Sequence, residues 1–178
     1  MELKLRRVVQ SDLTDEFVKW YDNKDGHLNY FSGSQKSFSK RDLQDWVSDS
    51  NPAKTHFFLV STDEGEPIGT VKIGPIDFKN RTSDLVCLIG NRSYLGKGLA
   101  SKAIGEANQI AFNELDIRRL HSGMYRDNIA SIKAYQRAGW FIEAEMKGFY
   151  LVGGKAVDRV CVACLNPKYF GDDVNNEN

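Results

Sequence analysis

The 178-residue sequence has no excess of charge and no long apolar run. Lys and Arg together number 24, and so do Asp and Glu, which leaves a formal net charge of zero. Because nucleic-acid-binding proteins usually carry a basic excess, this balance argues against nucleic acid as a partner. No stretch approaches the ~20 apolar residues that span a bilayer, and the N-terminus lacks the apolar segment of a secretory signal. We therefore expect no nucleic-acid partner and no membrane.

Cysteine is scarce as well. The chain has three, an odd number that favours a reducing compartment, so we expect the protein in the cytoplasm. Cys161 and Cys164 have C-x-x-C spacing, but an odd separation in a strand sends the two thiols to opposite faces, which argues against a shared metal or a disulfide. His27, His56 and His121 show no metal-ligand spacing. The sequence predicts no metal site.

What the chain does contain is the pattern of a folded protein with mixed strands and helices. Its hydrophobic content of 41% suits a compact domain. Apolar runs predict strands at residues 3–8, 56–60, 68–73, 84–89, 119–124, 140–144, 149–152 and 156–165, with an interruption at Pro75. One strand–loop–helix–strand crossover indicates an α/β or α+β sandwich. We expect a single domain over residues 1–170 and a tail over 171–178.

Apolar stripes at helical spacing predict four helices. Ser11 is the expected N-cap of the first and Ser39 that of the second. The third follows a Gly-rich loop and carries apolar residues from Leu99 onward at intervals of three and four. The fourth begins near Ile129 and ends before Gly139, a residue that often terminates helices.

The Gly-rich loop is the first segment that points to chemistry. The apolar run Leu85–Ile89 leads into Leu95-Gly96-Lys97-Gly98-Leu99-Ala100, and a helix follows. Free backbone N–H groups at the positive end of a helix can hold a phosphate or pyrophosphate. No GK[ST] sequence stands at the spacing of a nucleotide P-loop, and the glycines do not fit a dinucleotide fingerprint. Alone, the loop is equally compatible with a plain strand-to-helix turn.

A second segment lies downstream and reads Asn128-x-x-Ser131-x-x-x-Tyr135-x-x-x-Gly139-Trp140. Asn128 has the position of a helix N-cap, whose side chain accepts from the N–H of Ser131. Tyr135 suits a core aromatic. Residues three and four apart share one face of a helix, so the polar positions of this segment can also serve one ligand.

Together the two segments resemble the GNAT family of N-acetyltransferases. The pyrophosphate loop of that family has the pattern Gln/Arg-x-x-Gly-x-Gly/Ala, which Gly98 and Ala100 match and from which Leu95 departs. The second segment resembles the family's C-terminal motif, N-x-x-S-x-x-x-Y-x-x-x-G-F. Residues 18–23 and 153–158 resemble the branch of the ribosomal-protein alanine acetyltransferases (RimJ/RimL-like), which also includes enzymes for small amines and nucleotide-linked amino sugars.

The resemblance implies a fold and a co-substrate. The expected fold is a mixed, largely antiparallel sheet of six or seven strands with a splayed parallel pair, flanked by about four helices. Acetyl-CoA would lie between the splayed strands. Its pyrophosphate would rest on the backbone amides of the loop, and its pantetheine arm on the end of the preceding strand. The residues implied in coenzyme A binding are Leu88, Ile89, Gly90, Leu95, Gly96, Lys97, Gly98, Leu99, Ala100, Asn128, Ser131 and Tyr135.

The resemblance also implies direct attack by a primary amine within a ternary complex, with either an acetyl or a longer acyl group. Tyr135 is the expected general acid toward the departing sulfur. For the base, Asp84 is the first candidate, although the branch often has a Glu at the position that Leu85 holds here. His121 and a chain of water molecules are alternatives for the base.

The acceptor is open at this stage. Tyr30, Phe31 and His121 are candidate acceptor residues, and Lys36 and Arg41 could add cationic groups for an amino sugar. We expect a small amine such as an amino sugar or a polyamine. The alternatives are the N-terminus of a ribosomal protein and a non-catalytic sensor that binds acyl-coenzyme A. The protein is expected to be a monomer or a homodimer.

Overall fold

The computed structural model describes residues 1–23, 28–30, 38–49, 54–171 and 174–175. In these residues, one sheet of seven strands has the order β1-β2-β3-β4-β5-β7-β6. The strands are β1 Leu3–Arg7, β2 His56–Thr62, β3 Pro67–Asp77, β4 Thr82–Ile89, β5 Arg119–Tyr125, β6 Phe141–Val152 and β7 Lys155–Leu165. The α-helices are α1 Asp15–Lys19, α2 Lys40–Asp49, α3 Leu99–Gln109, α4 Ile129–Arg137 and α5 Pro167–Phe170.

The central pair of strands gives the sheet its shape. All neighbouring strands are antiparallel except β4 and β5, which are parallel. The registered pairs of β4 and β5 run from Thr82 opposite Arg119 to Asp84 opposite His121, and then the ladder stops. A gap therefore opens between the C-terminal halves of the two strands. The predicted fold, including the splayed parallel pair, is confirmed.

Two apolar clusters cover the two faces of the sheet. Alternation along β4 turns Leu85 toward the cluster that contains the buried faces of α3 and α4. Leu88 packs instead against a second cluster, formed by α1, α2 and neighbouring residues. Asp84 has the same parity as Leu88, so its side chain lies on the α1–α2 face. The gap is therefore bordered by the α3–α4 cluster on one face of the sheet, and by Asp84 and the α1–α2 cluster on the other.

Several local predictions needed correction. The N-cap of α1 is Thr14, whose hydroxyl accepts from the N–H of Phe17 at 3.2 Å, and not Ser11. Ser39 does cap α2, since its hydroxyl accepts from the N–H of Asp42. β3 continues past Pro75, because a register shift between Ile73 and Ile76 absorbs the irregularity.

The C-terminal part also differs from the expectation. Residues 140–144 and 149–152, expected as two strands, belong to the single strand β6, whose pairing with β7 shifts register twice. A fifth, one-turn helix follows β7, with Asn166 as its cap. Asn175 lies in the predicted tail, and its side chain hydrogen-bonds both backbone groups of Leu165.

Candidate active site

A cleft of about 440 Å³ lies at the gap between β4 and β5, next to the N-termini of α3 and α4. It is lined by most of the residues that the sequence assigned to coenzyme A and by one residue assigned to the acceptor. These are Leu88, Ile89, Leu95, Gly96, Gly98, Leu99, Ala100, Asn128, Ser131, Tyr135 and Tyr30. The structure thus brings two distant sequence segments to one site.

The Gly-rich loop presents a row of unused amides to this cleft. Gly96 and Gly98 have φ values of +73° and +75°, a backbone region that glycine enters without strain. Across the described chain, the N–H groups of residues 96–101 donate to no protein acceptor. The Leu95 amide differs, because it donates to the carbonyl of Arg92 at 3.1 Å. The row of free amides, called the anion cradle below, therefore begins at Gly96, one residue later than the sequence suggested.

Cationic side chains flank the cradle. Lys133 and Arg137 line the cleft one turn apart on α4. Sequence reasoning missed both, although their four-residue spacing places them on one helix face. Lys97 turns instead toward Tyr94, with its ammonium 5.0 Å from the ring centroid. Two phosphate-compatible cations thus come from α4, while Lys97 packs beside the loop.

The register of β4 decides which backbone groups face the gap. The N–H of Gly90 donates to the carbonyl of Ile68 on β3 at 2.9 Å. Because antiparallel pairs alternate, Leu88 also turns its backbone groups toward β3, whereas Cys87 and Ile89 turn theirs toward the gap. The N–H of Gly90, a residue that the sequence assigned to coenzyme A, is therefore not free for that ligand. Gly90 is instead required by packing, since a Cβ there would collide with the Trp20 side chain.

Tyr135 closes the bottom of the gap. Its ring is 3% exposed and packs edge-on against Trp140 with the centroids 4.8 Å apart. Its hydroxyl donates to the carbonyl of Leu85 at 2.8 Å. Burial raises the pKa of Tyr135 well above its usual value, and the nearby Cys87 and Asp84 add to the increase. Tyr135 is therefore a protonated hydrogen-bond donor that belongs both to the core and to the cleft.

The start of α4 is organised by its cap. Asn128 Oδ1 accepts from the N–H of Ser131 at 3.2 Å, which confirms the predicted N-cap. Both residues also line the cleft. The cap fixes the orientation of α4 and with it the position of Tyr135, two turns further along the same helix.

Asp84 and His121, the two side-chain candidates for the base, lie side by side. They are register partners on the paired part of β4 and β5, and alternation puts both on the α1–α2 face. Burial raises the pKa of Asp84, and the positive charges of Lys72, His121 and Arg159 offset part of the increase. His121 is exposed. The half-buried Asp84 has the environment of a base that is adjusted toward neutral pH.

Three tyrosine rings lie in a row that begins at Tyr30, which lines the cleft. The centroids of Tyr30 and Tyr125 are 6.1 Å apart, and those of Tyr125 and Tyr150 are 4.1 Å apart. Alternation along β5 could have placed Tyr125 on the face of His121, but no local signal linked it to Tyr150 on β6. Arg41 is exposed on α2.

Three residues named from the sequence, His27, Phe31 and Lys36, lie outside the described residues. In the described ranges, no cluster of three or more His, Cys, Asp or Glu side chains could hold a metal ion. None of the helices that the structure describes has the length and apolar character needed to cross a membrane.

A family model for the acetyltransferase (GNAT) domain matches residues 2–140. The chain belongs to the GNAT family. It is an N-acetyltransferase that takes its acetyl group from acetyl-CoA. In this GNAT domain, the free loop amides and the gap between β4 and β5 border the same cleft.

Relatives of this GNAT chain include the spermidine N(1)-acetyltransferase of Escherichia coli K12, 25% identical over 173 residues, which cover 96% of this chain and 89% of the relative. The probable N-acetyltransferase YjcK of Bacillus subtilis is 25% identical over 112 residues, 63% of this chain and 62% of the relative. The crystal structure of Vibrio cholerae spermidine N-acetyltransferase with CoA and spermine has a TM-score of 0.82 at 20% identity, covering 95% of this chain and 98% of that one. This structural likeness concerns the fold.

Proposed function

We propose that this enzyme acetylates a small primary amine by direct attack on acetyl-CoA bound in the cleft. One observation carries the proposal: the free amides of residues 96–101 lie at one end of a gap in the sheet whose other end reaches Asp84 and Tyr135. A single ligand can therefore contact both the anion cradle and the candidate catalytic groups.

The binding residues follow from this geometry. The amides from Gly96 to Ala100 hold the pyrophosphate, and Lys133 and Arg137 neutralise phosphate charge. The backbone groups of Cys87 and Ile89 pair with the pantetheine arm as a further strand would. Acetyl-CoA supplies the activated thioester when bound, so the protein has to orient two reactants and manage two protons.

The amine must lose a proton before or as it attacks. An alkyl ammonium near pKa 10.4 is about three units from neutral pH, so presenting the free amine costs roughly 4 kcal/mol. Asp84 is the proposed base, since burial raises its pKa toward neutrality. His121, its register partner, can relay the proton to solvent. The nitrogen then bonds to the acetyl carbon as the bond from carbon to sulfur breaks.

Tyr135 is the proposed partner of the departing sulfur. A thiol has a reference pKa of ~8.5, whereas the pKa of the buried Tyr135 is raised above that of a free tyrosine. The phenol therefore stabilises the developing thiolate by donating a hydrogen bond, and coenzyme A leaves as a thiolate that takes its proton from solvent, which has received the proton of the amine. For this, the Tyr135 hydroxyl, which now donates to the Leu85 carbonyl, turns to the sulfur.

The relatives support a small acceptor. The E. coli and V. cholerae proteins are named for spermidine, and an E. coli relative 26% identical over 107 residues is named an L-amino acid N-acetyltransferase. Polyamines and amino acids are thus the first acceptors to test, ahead of the ribosomal-protein N-terminus that the branch resemblance suggested. A cytoplasmic location remains part of this proposal, supported by the sparse cysteines.

A panel of acceptors tests the proposal. Purified protein with acetyl-CoA is offered spermidine, an amino sugar, an amino acid and a peptide with a free N-terminus, and thiol release and acetylated product are measured. Turnover of a small amine supports the proposal. Turnover of the peptide alone assigns N-terminal acetylation. Binding of acetyl-CoA without turnover of any acceptor assigns the sensor function.

A further inference from the structure

Arg159 on β7 is a partly buried cation that the described structure leaves without a hydrogen-bond partner. Its Nε atom is buried and bonds to no acceptor in the described ranges. The guanidinium lies directly on Gly123 of β5, where a Cβ would collide with Nε and Nη2. The absence of a side chain at Gly123 thus leaves room for the guanidinium, and any larger residue would displace it.

Arg159 contacts an aromatic ring but makes no ion pair in the described residues. Its Cζ atom lies 4.8 Å from the ring centroid of Phe149. No ion pair with Arg159 occurs among the residues that the structure describes. A guanidinium carries five N–H donors in a fixed fork, and a buried donor without a partner is unfavourable. Nε is covered, but the neighbouring Gly123 lines the cleft, so the Nη groups are the donors of this guanidinium that a ligand in the cleft can approach.

The position of Arg159 relates it to the acceptor. It is the register partner of Tyr125, and Gly123 lines the cleft. Alternation puts Arg159 on the α1–α2 face together with Asp84, and the two groups are close enough for the guanidinium to lower the pKa of the carboxyl. Lys72 and His121 also face Asp84. The acceptor side therefore combines one carboxylate with an excess of positive groups.

We propose that Arg159 binds an oxyanion of the acceptor, so that the preferred substrate is an amine that carries a carboxylate or phosphate a few bonds from its nitrogen. Asp84 attracts the ammonium while the guanidinium fork takes the anion. A polyamine would instead bring a second ammonium toward a cation. This inference rests on the proposed function, because it specifies the amine that the same site acetylates.

Matched acceptors test the inference. Each anionic amine is paired with its counterpart without the anion, so β-alanine is compared with propylamine and glucosamine 6-phosphate with glucosamine. Spermidine serves as the polycation. We expect kcat/KM at least tenfold higher for one anionic member than for its neutral counterpart. Arg159→Gln removes this difference through KM of the acceptor and leaves KM of acetyl-CoA unchanged, whereas Arg159→Lys restores part of it. The pair that discriminates shows whether carboxylate or phosphate is recognised.

Arg118→Gln is the control variant, because its guanidinium also stacks on an aromatic ring, that of Phe170, at 5.5 Å. It should keep the wild-type preference. Acetylation of amines with no preference for the anion, or an equal loss for all acceptors in Arg159→Gln, overturns the inference and leaves the proposed function intact. If no amine is acetylated, the proposed function fails. Calorimetry of the same amines with the coenzyme A complex then decides independently, since loss of anion-dependent binding in Arg159→Gln would still support the role of Arg159.

Discussion

Asp84, the proposed base, is a residue at which activity and stability are expected to oppose each other. Burial raises its pKa in the folded protein above that in the unfolded chain. The folded state therefore binds the proton more tightly, and ionisation is unfavourable to folding. This penalty is fully present above the folded pKa and disappears as the pH falls below the unfolded value. At neutral pH, the carboxylate lowers the free energy of unfolding.

Replacing Asp84 should therefore lower activity and raise stability together. We expect Asp84→Asn to lose about 100-fold in kcat/KM, the scale of general base catalysis, and to melt a few degrees higher at pH 7, with the gain vanishing in acid. Asp77→Asn is the control. Hydrogen bonds from Asn80 lower the pKa of Asp77, so its ionised form favours folding and this variant should not gain stability. A less stable Asp84→Asn protein with full activity would contradict the assignment.

Tyr135 permits a substitution that removes one hydroxyl from a packed ring. Tyr135→Phe keeps the edge-on contact with Trp140 and loses the hydrogen bond to Leu85. We expect kcat to fall about tenfold to 100-fold, the range for a donor that acts in the transition state, while KM for acetyl-CoA stays near the wild-type value. Tyr169→Phe removes a hydroxyl that bonds Asp116 and should leave kcat unchanged. Undiminished turnover by a folded Tyr135→Phe protein would remove Tyr135 from the mechanism.

At the scale of elements, the loop before α3 combines backbone conformation with ligand binding. Gly98 has φ +75°, and nothing lies within 4 Å of the position that a Cβ would take. Glycine is thus needed there for its conformation and not for space inside the protein. A side chain would strain the loop, and we expect it to hinder a pyrophosphate bound on the neighbouring amides.

A matched pair of alanine variants separates these two effects. Gly154 in the β6–β7 turn has φ +78° and is equally open. Both alanine variants should lose about 1 kcal/mol in the free energy of unfolding, measured in urea. Gly98→Ala should also raise KM for acetyl-CoA about tenfold, whereas Gly154→Ala should not. An equal effect of both variants on that KM would show that the loop has no special part in binding.

The elements also show how much the sequence could predict. The Gly-rich turn before α3 and the Asn128 cap carry strong local signals, and the structure has both where they were predicted, whereas the binding of coenzyme A by the loop stays a prediction. The register of β4 carries none, because a shift by one residue leaves the apolar run intact while it exchanges the backbone groups that face the gap. Gly90 was therefore assigned to the ligand, although it faces β3 and packs on Trp20.

At the scale of the whole molecule, the strand order brings together the residues of the proposed acceptor side. β7 lies between β5 and β6, so Arg159 and Tyr150 from the C-terminal hairpin lie next to Gly123 and Tyr125 of the central strand. These contacts join residues separated along the chain by tens of positions. Periodicity predicts the strands but not their order, so the sequence indicated the segments that line the cleft but not the contacts between β5 and the C-terminal hairpin.

Titration of the isotopically labelled protein with coenzyme A, followed through backbone amide resonances, tests the central claim most directly. We expect the largest shifts in residues 96–101, with further shifts at Cys87 and Ile89, while Gly90 changes little because its N–H already serves Ile68. Saturable binding that leaves residues 96–101 unshifted and moves signals elsewhere would contradict the account.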